Sequence, residues 1–525
     1  MILFRRRPAQ VRPPLPAAVA FATHAVRFPA AGVLLLACLC ACAGRSVEGP
    51  PSPSAAATIP VATISPTAGP TADPGNVTPI TAEPEPAPLD RPLYRLRAAV
   101  DTSLIPTEYG EMMLLTVKEE AAYTHRGQAP LEELILQFEP SRRTELFFLD
   151  SLSSNRAARG GRAEIRDGQL RIPLEEPLTS GAGVVLRLEY RRFIACEPEL
   201  IGRNDTQILL GNWYAFFPPY REGTGWLAHP PGKAGEYLNF PYADFDVSLE
   251  LPAEEGYQVA ASGVADAETT PLHYLFTGRS FAVSLTRQTL FRRSAGEVEI
   301  LAYARPEHEA QGGWMADTAA RALGLYSDLL AEYPHRRLTV VESDLYDGME
   351  FDGLVFLSPS LFEYYTGDGK DYLTAITAHE TVHQWWYGRV GNDQAMEPWL
   401  DEAFAAYHEL LYYERFHPDH LEWWWWTRVN RYPSDDCVDL PVYSFPDFRT
   451  YVNAVYLRGV HLLHALRLRM GKAAFLDSLR ELQTEHFGGW ITAADVLRSF
   501  ESHSAAPLTD IWADYLCQPL PAEPG

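Results

Sequence analysis

The sequence predicts an α+β chain of several domains: an antiparallel β-sandwich or saddle-shaped sheet domain, then an α+β domain with a helical C-terminal half. Two patterns carry this expectation. From about Pro92 to Leu290, short runs such as Leu186-Arg-Leu-Glu-Tyr-Arg191 and Phe245-Asp-Val-Ser-Leu-Glu-Leu251 alternate apolar with polar residues between Gly, Pro and Asn turns. Period two over such lengths marks half-buried strands. After Glu297 the pattern changes to a helix near 314–333, strands at 338–342 and 354–358, and then mainly helices to Leu516. A third observation is compositional: 46% hydrophobic and 21% charged residues place the chain near the globular average and exclude a mostly disordered or multi-span membrane protein. With 525 residues there is room for about two to four domains. The net charge of −24 repels phosphate backbones, so no nucleic-acid partner is expected.

Taken from the N-terminus, residues 1–41 read as an export signal. They hold five arginines and no acidic residue, and an apolar run from Ala30 to Cys42 is too short for a comfortable membrane span. The segment Leu39-Cys40-Ala41-Cys42-Ala43-Gly44 resembles a bacterial lipobox, with Cys42 as the lipidated residue and Cys38 as the alternative. Two or three acyl chains would anchor the protein stably to a membrane. Cleavage after Ala41 would leave a net charge of −29, so the expected product is a strongly acidic, exported cell-envelope lipoprotein. The next segment, 42–91, reads as a disordered spacer, because 11 prolines among the 48 residues from Ala43 to Asp90, with no aromatic residue, cannot offset the entropy of ordering. The β domain is then expected at 92–295 and the second domain at 296–525. Cys196, Cys437 and Cys517 are too few and too widely spaced for a disulfide framework, although one bridge is possible after export.

The stretch Asp371-Tyr-Leu-Thr-Ala-Ile-Thr-Ala-His379-Glu380-Thr-Val-His383-Gln-Trp-Trp-Tyr-Gly388 lacks proline and spaces its apolar residues as a helix does, with Gly388 as the expected C-terminal cap. Histidines four apart project from one helix face and can share one tetrahedral ion, with Glu380 beside them. This HExxH motif needs a third ligand, and Glu402 follows His383 after eighteen intervening residues, in a second helix-like segment, Pro398-Trp-Leu-Asp-Glu-Ala-Phe-Ala-Ala-Tyr407. Two histidines and one glutamate leave a fourth position for water, the catalytic arrangement of one Zn²⁺ ion.

Spacing and context together resemble the M1 family of zinc aminopeptidases, the gluzincins. The family's GxMEN-type motif is matched by Asp347-Gly348-Met349-Glu350-Phe351, and its Tyr-x-Lys-Gly context by Tyr456-Leu-Arg458-Gly459 at the expected start of a helix. The resemblance covers roughly Pro92 to Leu516 and implies a thermolysin-like fold for 296–525. It also implies a zinc metallopeptidase acting through a zinc-activated water, most simply an aminopeptidase. Chemistry assigns the parts: His379, His383 and Glu402 as metal ligands, Glu380 as general base, and Tyr456 as oxyanion donor. Glu350, with Gly348 and Met349, is the expected site for the substrate's free α-ammonium, and the strand from Gly353 the one an extended substrate can pair with.

The chain departs from the family pattern at several places. Phe351 replaces the asparagine after Met-Glu, Asp347 the leading glycine, Asp401 an asparagine and Arg458 a lysine. No Gln-x-Glu second amine anchor stands out in the β domain, and the helices end near Leu516 without the long helical-repeat domain of many relatives, which implies a more open cleft. Rival readings are an endopeptidase or other hydrolase on the same zinc site, an epoxide hydrolase side activity, and an inactive surface binding lipoprotein. Trp423-Trp-Trp-Trp426 is expected to pack helices or line the cleft, and His408, His461 and His464 to be surface or core residues.

Overall fold

The computed structural model describes residues 89–251, 256–267 and 270–518. The export signal, Cys42 and the spacer up to residue 88 lie outside them.

In the first half, a six-stranded sheet runs in the order Leu272–Gly278, Ala243–Glu250, Leu93–Thr107, Gly110–Thr124, Gly183–Ile194, Phe147–Ser154. The alternation seen in the sequence becomes its two faces: Tyr94, Leu96 and Ala98 are buried while Arg95 and Arg97 are exposed. A three-stranded sheet (Leu131–Gln137, Gln169–Leu178, Glu164–Arg166) and a four-stranded one (Gln258–Ala261, Val283–Thr286, Gln207–Leu210, Ile201–Arg203) complete this half. Most of its buried side chains form one core, which includes Leu115, Leu134, Leu188, Trp213, Phe245 and Phe281. The expectation of a wholly antiparallel domain needs one correction, because Leu93–Ala99 lies parallel to Asp244–Glu250. Parallel neighbours need a long connection, and here the other strands of the half fill it.

A second, five-stranded sheet has the order Thr289–Ala295, Val298–Ala304, Arg337–Glu342, Leu354–Leu357, Met349–Phe351. Two boundaries differ from expectation. Thr289–Ala295, assigned from sequence to the first half, pairs antiparallel with Val298–Ala304 and so belongs to the second sheet. The outer strand is Met349–Phe351, while the strand after Gly353 has neighbours on both sides. It is therefore the Met-Glu-Phe strand, not the one from Gly353, that offers a free edge. The helix Glu309–Leu329 connects Val298–Ala304 to the parallel strand Arg337–Glu342 and packs under the sheet.

Helices fill the rest. Asp371 caps the helix Tyr372–Val382 by accepting the Thr374 N–H at 2.8 Å, and every residue from Leu373 to Val382 is buried. The helix does not run on to Gly388. After His383, tertiary contacts take over: Gln384 bonds the backbone of Phe351 and Gly353, the Trp385 indole donates to the Ala331 carbonyl at 2.7 Å, and the Tyr387 hydroxyl donates to Ser280 at 2.7 Å. Tyr387 adopts a φ of 106°, which no helix accommodates. The helix Trp399–Phe416 returns against the first. Further on, Phe448–Tyr451, a π-helical stretch Val452–Arg458 and the helix Gly459–Met470 follow without a break. Cys437 and Cys517 are joined by a disulfide, fastening the C-terminal segment to the loop before that long helix. No helix of the described residues is long and apolar enough to cross a membrane.

Candidate active site

The two histidines and the distant glutamate converge. Nitrogens of His379 and His383 and an oxygen of Glu402 all lie within 4.8 Å of one another, and all three residues are buried. The Glu402 Oε2 atom stands 3.2 Å from His379 Nε2 and 3.6 Å from His383 Nε2. The other ring nitrogens are already engaged: His379 Nδ1 pairs with Glu409 Oε1 at 2.9 Å, and His383 Nδ1 with Asp401 Oδ1 at 2.7 Å. Nδ1–H donation to a carboxylate orients each ring and leaves Nε2 as the free lone pair, the usual support of a histidine metal ligand. Two imidazoles and one carboxylate suit zinc, so these residues fit one Zn²⁺ ion.

Glu409 was not legible from sequence, yet its position follows from helix geometry. Seven residues after Glu402 on the same helix, it presents its side chain on nearly the same face. Arg428 holds it through three contacts of 3.3, 3.0 and 2.8 Å, and the Trp424 indole donates to it at 3.0 Å. Burial pushes the Glu409 carboxyl up, but the Arg428 charge and the bond from His379 outweigh this and hold it below the ordinary range. The tryptophan run thus contributes one residue, Trp424, to the metal's surroundings, while Trp426 is exposed. His408 is buried and bonds the Phe404 carbonyl, and His461 and His464 pack around Trp425; none belongs to a metal-capable group among the described residues.

Glu380 is buried beside the histidines, with one oxygen, Oε2, lacking any hydrogen-bond partner. Removal from water pushes its carboxyl up to about 7, against the lowering charges of His383 and His379. Gly348 explains how the neighbouring strand fits so close, since a Cβ there would overlap the Glu380 carboxylate. Met349 and Glu350 follow on the edge strand.

Glu350 faces a partner that the sequence did not reveal. Glu236, from the loop after Trp226, brings an oxygen within 4.8 Å of Glu350 and Asp401. No Gln-x-Glu motif marks Glu236 in the sequence, and it meets Glu350 only through the fold. Burial pushes Glu236 up to about 8 and Glu350 well above the ordinary carboxyl range, and the Glu236 charge pushes Glu350 further. Two like charges at that separation repel by roughly 3–4 kcal/mol at an effective dielectric of 20, so the pair favours either a shared proton or a docked cation.

Tyr456 lies in the π-helical stretch rather than at a helix start. Its ring stacks on His379 at 5.7 Å with an interplanar angle of 3°, and its hydroxyl lies within the field of the Glu402 carboxylate. Tyr451, another residue unmarked in the sequence, packs edge-on against it at 5.6 Å. Wide π-turns recur where a side chain must be placed at a functional site. Both phenols sit well above their ordinary pKa, first through burial and then through the Glu402 charge, so they are hydrogen-bond donors across the physiological range.

Comparison with known proteins matches this arrangement. Residues 314–515 match the family model described as the peptidase family M1 domain. A probable aminopeptidase 2 of Sulfurisphaera tokodaii is 22% identical over 320 residues, 56% of this chain and 40% of its own length. Aminopeptidase N of Lactococcus lactis is 23% identical over 315 residues, 53% of this chain and 36% of its own. The chain thus spans well under half the length of these relatives. Among solved structures, the M1 zinc metallopeptidase from Deinococcus radiodurans superimposes with a TM-score of 0.54 and 22% identity, covering 83% of this chain and 95% of that one, which establishes a shared fold. The stretch that holds the HExxH helix, the Glu402 helix and the Tyr456 turn, residues 314–515, is thus an M1 peptidase domain by its match.

Proposed function

We propose that the protein is a zinc-dependent aminopeptidase that removes N-terminal residues from peptides. The observation that carries this reading is the Glu236–Glu350 pair beside the metal ligands: two carboxylates facing each other, with Glu350 Oε1 buried and without a hydrogen-bond partner. A substrate's α-ammonium relieves their repulsion and is charge-assisted by both. An extended peptide can pair with the edge strand Met349–Phe351, which sets its first peptide bond toward His379, His383 and Glu402. His379, His383 and Glu402 would hold a Zn²⁺ ion, which would supply Lewis acidity for the scissile carbonyl and a lowered pKa for the attacking water. Glu380 accepts the water's proton and delivers it to the leaving amine, and the Tyr456 hydroxyl donates to the oxygen on which charge develops.

The test compares an aminoacyl peptide amide with its N-acetylated twin. Loss of the ammonium lowers kcat/KM by about 100-fold or more, since charge-assisted hydrogen bonds are each worth about 1.5–3 kcal/mol. Equal cleavage of both overturns the exopeptidase reading in favour of endopeptidase action on the same site, and no cleavage of either favours a binding protein.

We also propose that the chain is an exported lipoprotein held at a membrane surface through Cys42. The support is the arginine-rich, apolar leader and the lipobox-like Leu39-Cys40-Ala41-Cys42. Labelled palmitate is expected to enter the full-length protein in cells and to be lost in Cys42→Ala. Retention of label in that variant and loss in Cys38→Ala would move the anchor to Cys38.

A further inference from the structure

We propose that Gln394 and Asp401 form a relay that positions the amine cradle relative to the metal centre, so that the distance from substrate N-terminus to scissile bond is set by one amide. The proposal rests on the aminopeptidase reading above. Neither residue is a zinc ligand or one of the two cradle carboxylates, so both act through others.

The geometry is continuous. The two oxygens of Asp401 have separate partners: Oδ1 pairs with His383 Nδ1 at 2.7 Å, and Oδ2 accepts from Gln394 Nε2 at 3.0 Å. The same Gln394 nitrogen donates to Glu236 Oε2 at 2.5 Å. One NH₂ group, with two protons to give, thus serves two carboxylates from different parts of the fold. Gln394 is itself held in place. Its backbone N–H donates to Asn239 Oδ1 at 3.1 Å, and Asn239 Nδ2 in turn donates to the Leu227 carbonyl and to Asp393 Oδ1, each at 3.2 Å. Gln394, Asp401, Asn239 and Asp393 are all buried and Glu236 is half-buried, so water has little access to the bonds among the first four.

Chemistry makes the relay matter. Without Gln394, the carboxylates of Glu236 and Asp401, whose oxygens lie within 4.8 Å of each other and of Glu350, have no donor between them and repel. Glu236 would then move from its place opposite Glu350. Asp401, deprived of its second anchor, would hold His383 less firmly. The Asp401 carboxylate engages the His383 Nδ1–H and the Gln394 amide at once, accepting from both.

The experiment uses the full chain and two variants, Gln394→Met and Asp401→Asn. Gln394→Met keeps the volume but removes both donated bonds. Asp401→Asn keeps the shape but loses an acceptor and the charge. Zinc affinity is read on metal-stripped protein by competition with a chromophoric chelator, and amine discrimination as the ratio of kcat/KM for free and N-acetylated substrates. Asp401→Asn is expected to weaken zinc binding by about 10-fold or more, the usual effect of removing an outer partner of a metal histidine. It is also expected to lower amine discrimination. Gln394→Met is expected to lower discrimination by about 10-fold or more and to weaken zinc binding severalfold, because a shift near 1 Å in a bound group can cost about 100-fold in rate.

The crossed effect is the signature. A residue that only packs would not move both readouts from both positions. Zinc affinity within twofold of the parent in Gln394→Met, or unchanged discrimination in Asp401→Asn, overturns the relay. If either variant fails to fold, seen as a collapsed thermal transition of the metal-free protein, the other still decides. If the parent itself cleaves both substrates equally, the aminopeptidase reading fails, while the zinc-affinity arm still reports on the relay.

Discussion

Glu380→Gln is expected to lower kcat/KM for aminoacyl amide substrates by about 10²–10⁴-fold, roughly 2.7–5.5 kcal/mol of transition-state stabilisation, with zinc stoichiometry unchanged. The size follows from what Glu380 is placed to do. Its Oε2 atom is buried without a partner, so it is free to receive a proton. Its carboxyl, pushed up to about 7 mainly by burial, can both take a proton from water and release it to an amine near neutral pH. Glutamine matches the shape but cannot carry the proton. Metal content should persist because the three ligand atoms belong to His379, His383 and Glu402. Measured rates within tenfold of the parent at full zinc occupancy would remove Glu380 from the proton-transfer step.

Tyr456→Phe is expected to lower kcat by about 10²–10³-fold, the cost of losing one oxyanion donor, with little change in KM. The phenylalanine keeps the ring stacked on His379 and edge-on to Tyr451, so the change is confined to the hydroxyl. The stacking on His379 and the influence of the Glu402 charge place that hydroxyl beside the candidate metal ligands, where oxygen charge would develop. A rise in KM with kcat preserved would instead assign the phenol to ground-state binding. A parallel measurement of zinc affinity separates both cases from a loss of Glu402 orientation.

The residues legible in the sequence are those fixed by local periodicity. His379 and His383 share a face because four residues make slightly more than one helical turn. Glu402 was accessible because its helix returns directly against the first, at a spacing the M1 family repeats. Glu350 and Tyr456 came from short motifs, although the motif did not reveal that Tyr456 sits in a π-turn. Length of helix was misjudged where side chains override propensity: Gln384, Trp385 and Tyr387 exchange helical continuation for bonds to the sheet and to Ser280. The free edge was misassigned for a similar reason, since both short strands have the apolar character of a buried sheet and only hydrogen-bond pairing shows which is outermost.

By itself, then, the sequence determined the fold class and the set His379, His383 and Glu402 that the fold brings together, with Glu380 beside them, because strand and helix periodicity and the spacing of chemically distinctive residues are written along the chain. Tertiary structure alone decided that Glu236 meets Glu350, that Glu409 with Arg428 and Asp401 support the two histidines, and that Gln394 spans two carboxylates. These side chains come from segments with no fixed separation. Their meeting depends on how whole elements pack, and the free energy of that packing is spread over the buried cores rather than encoded at any one position.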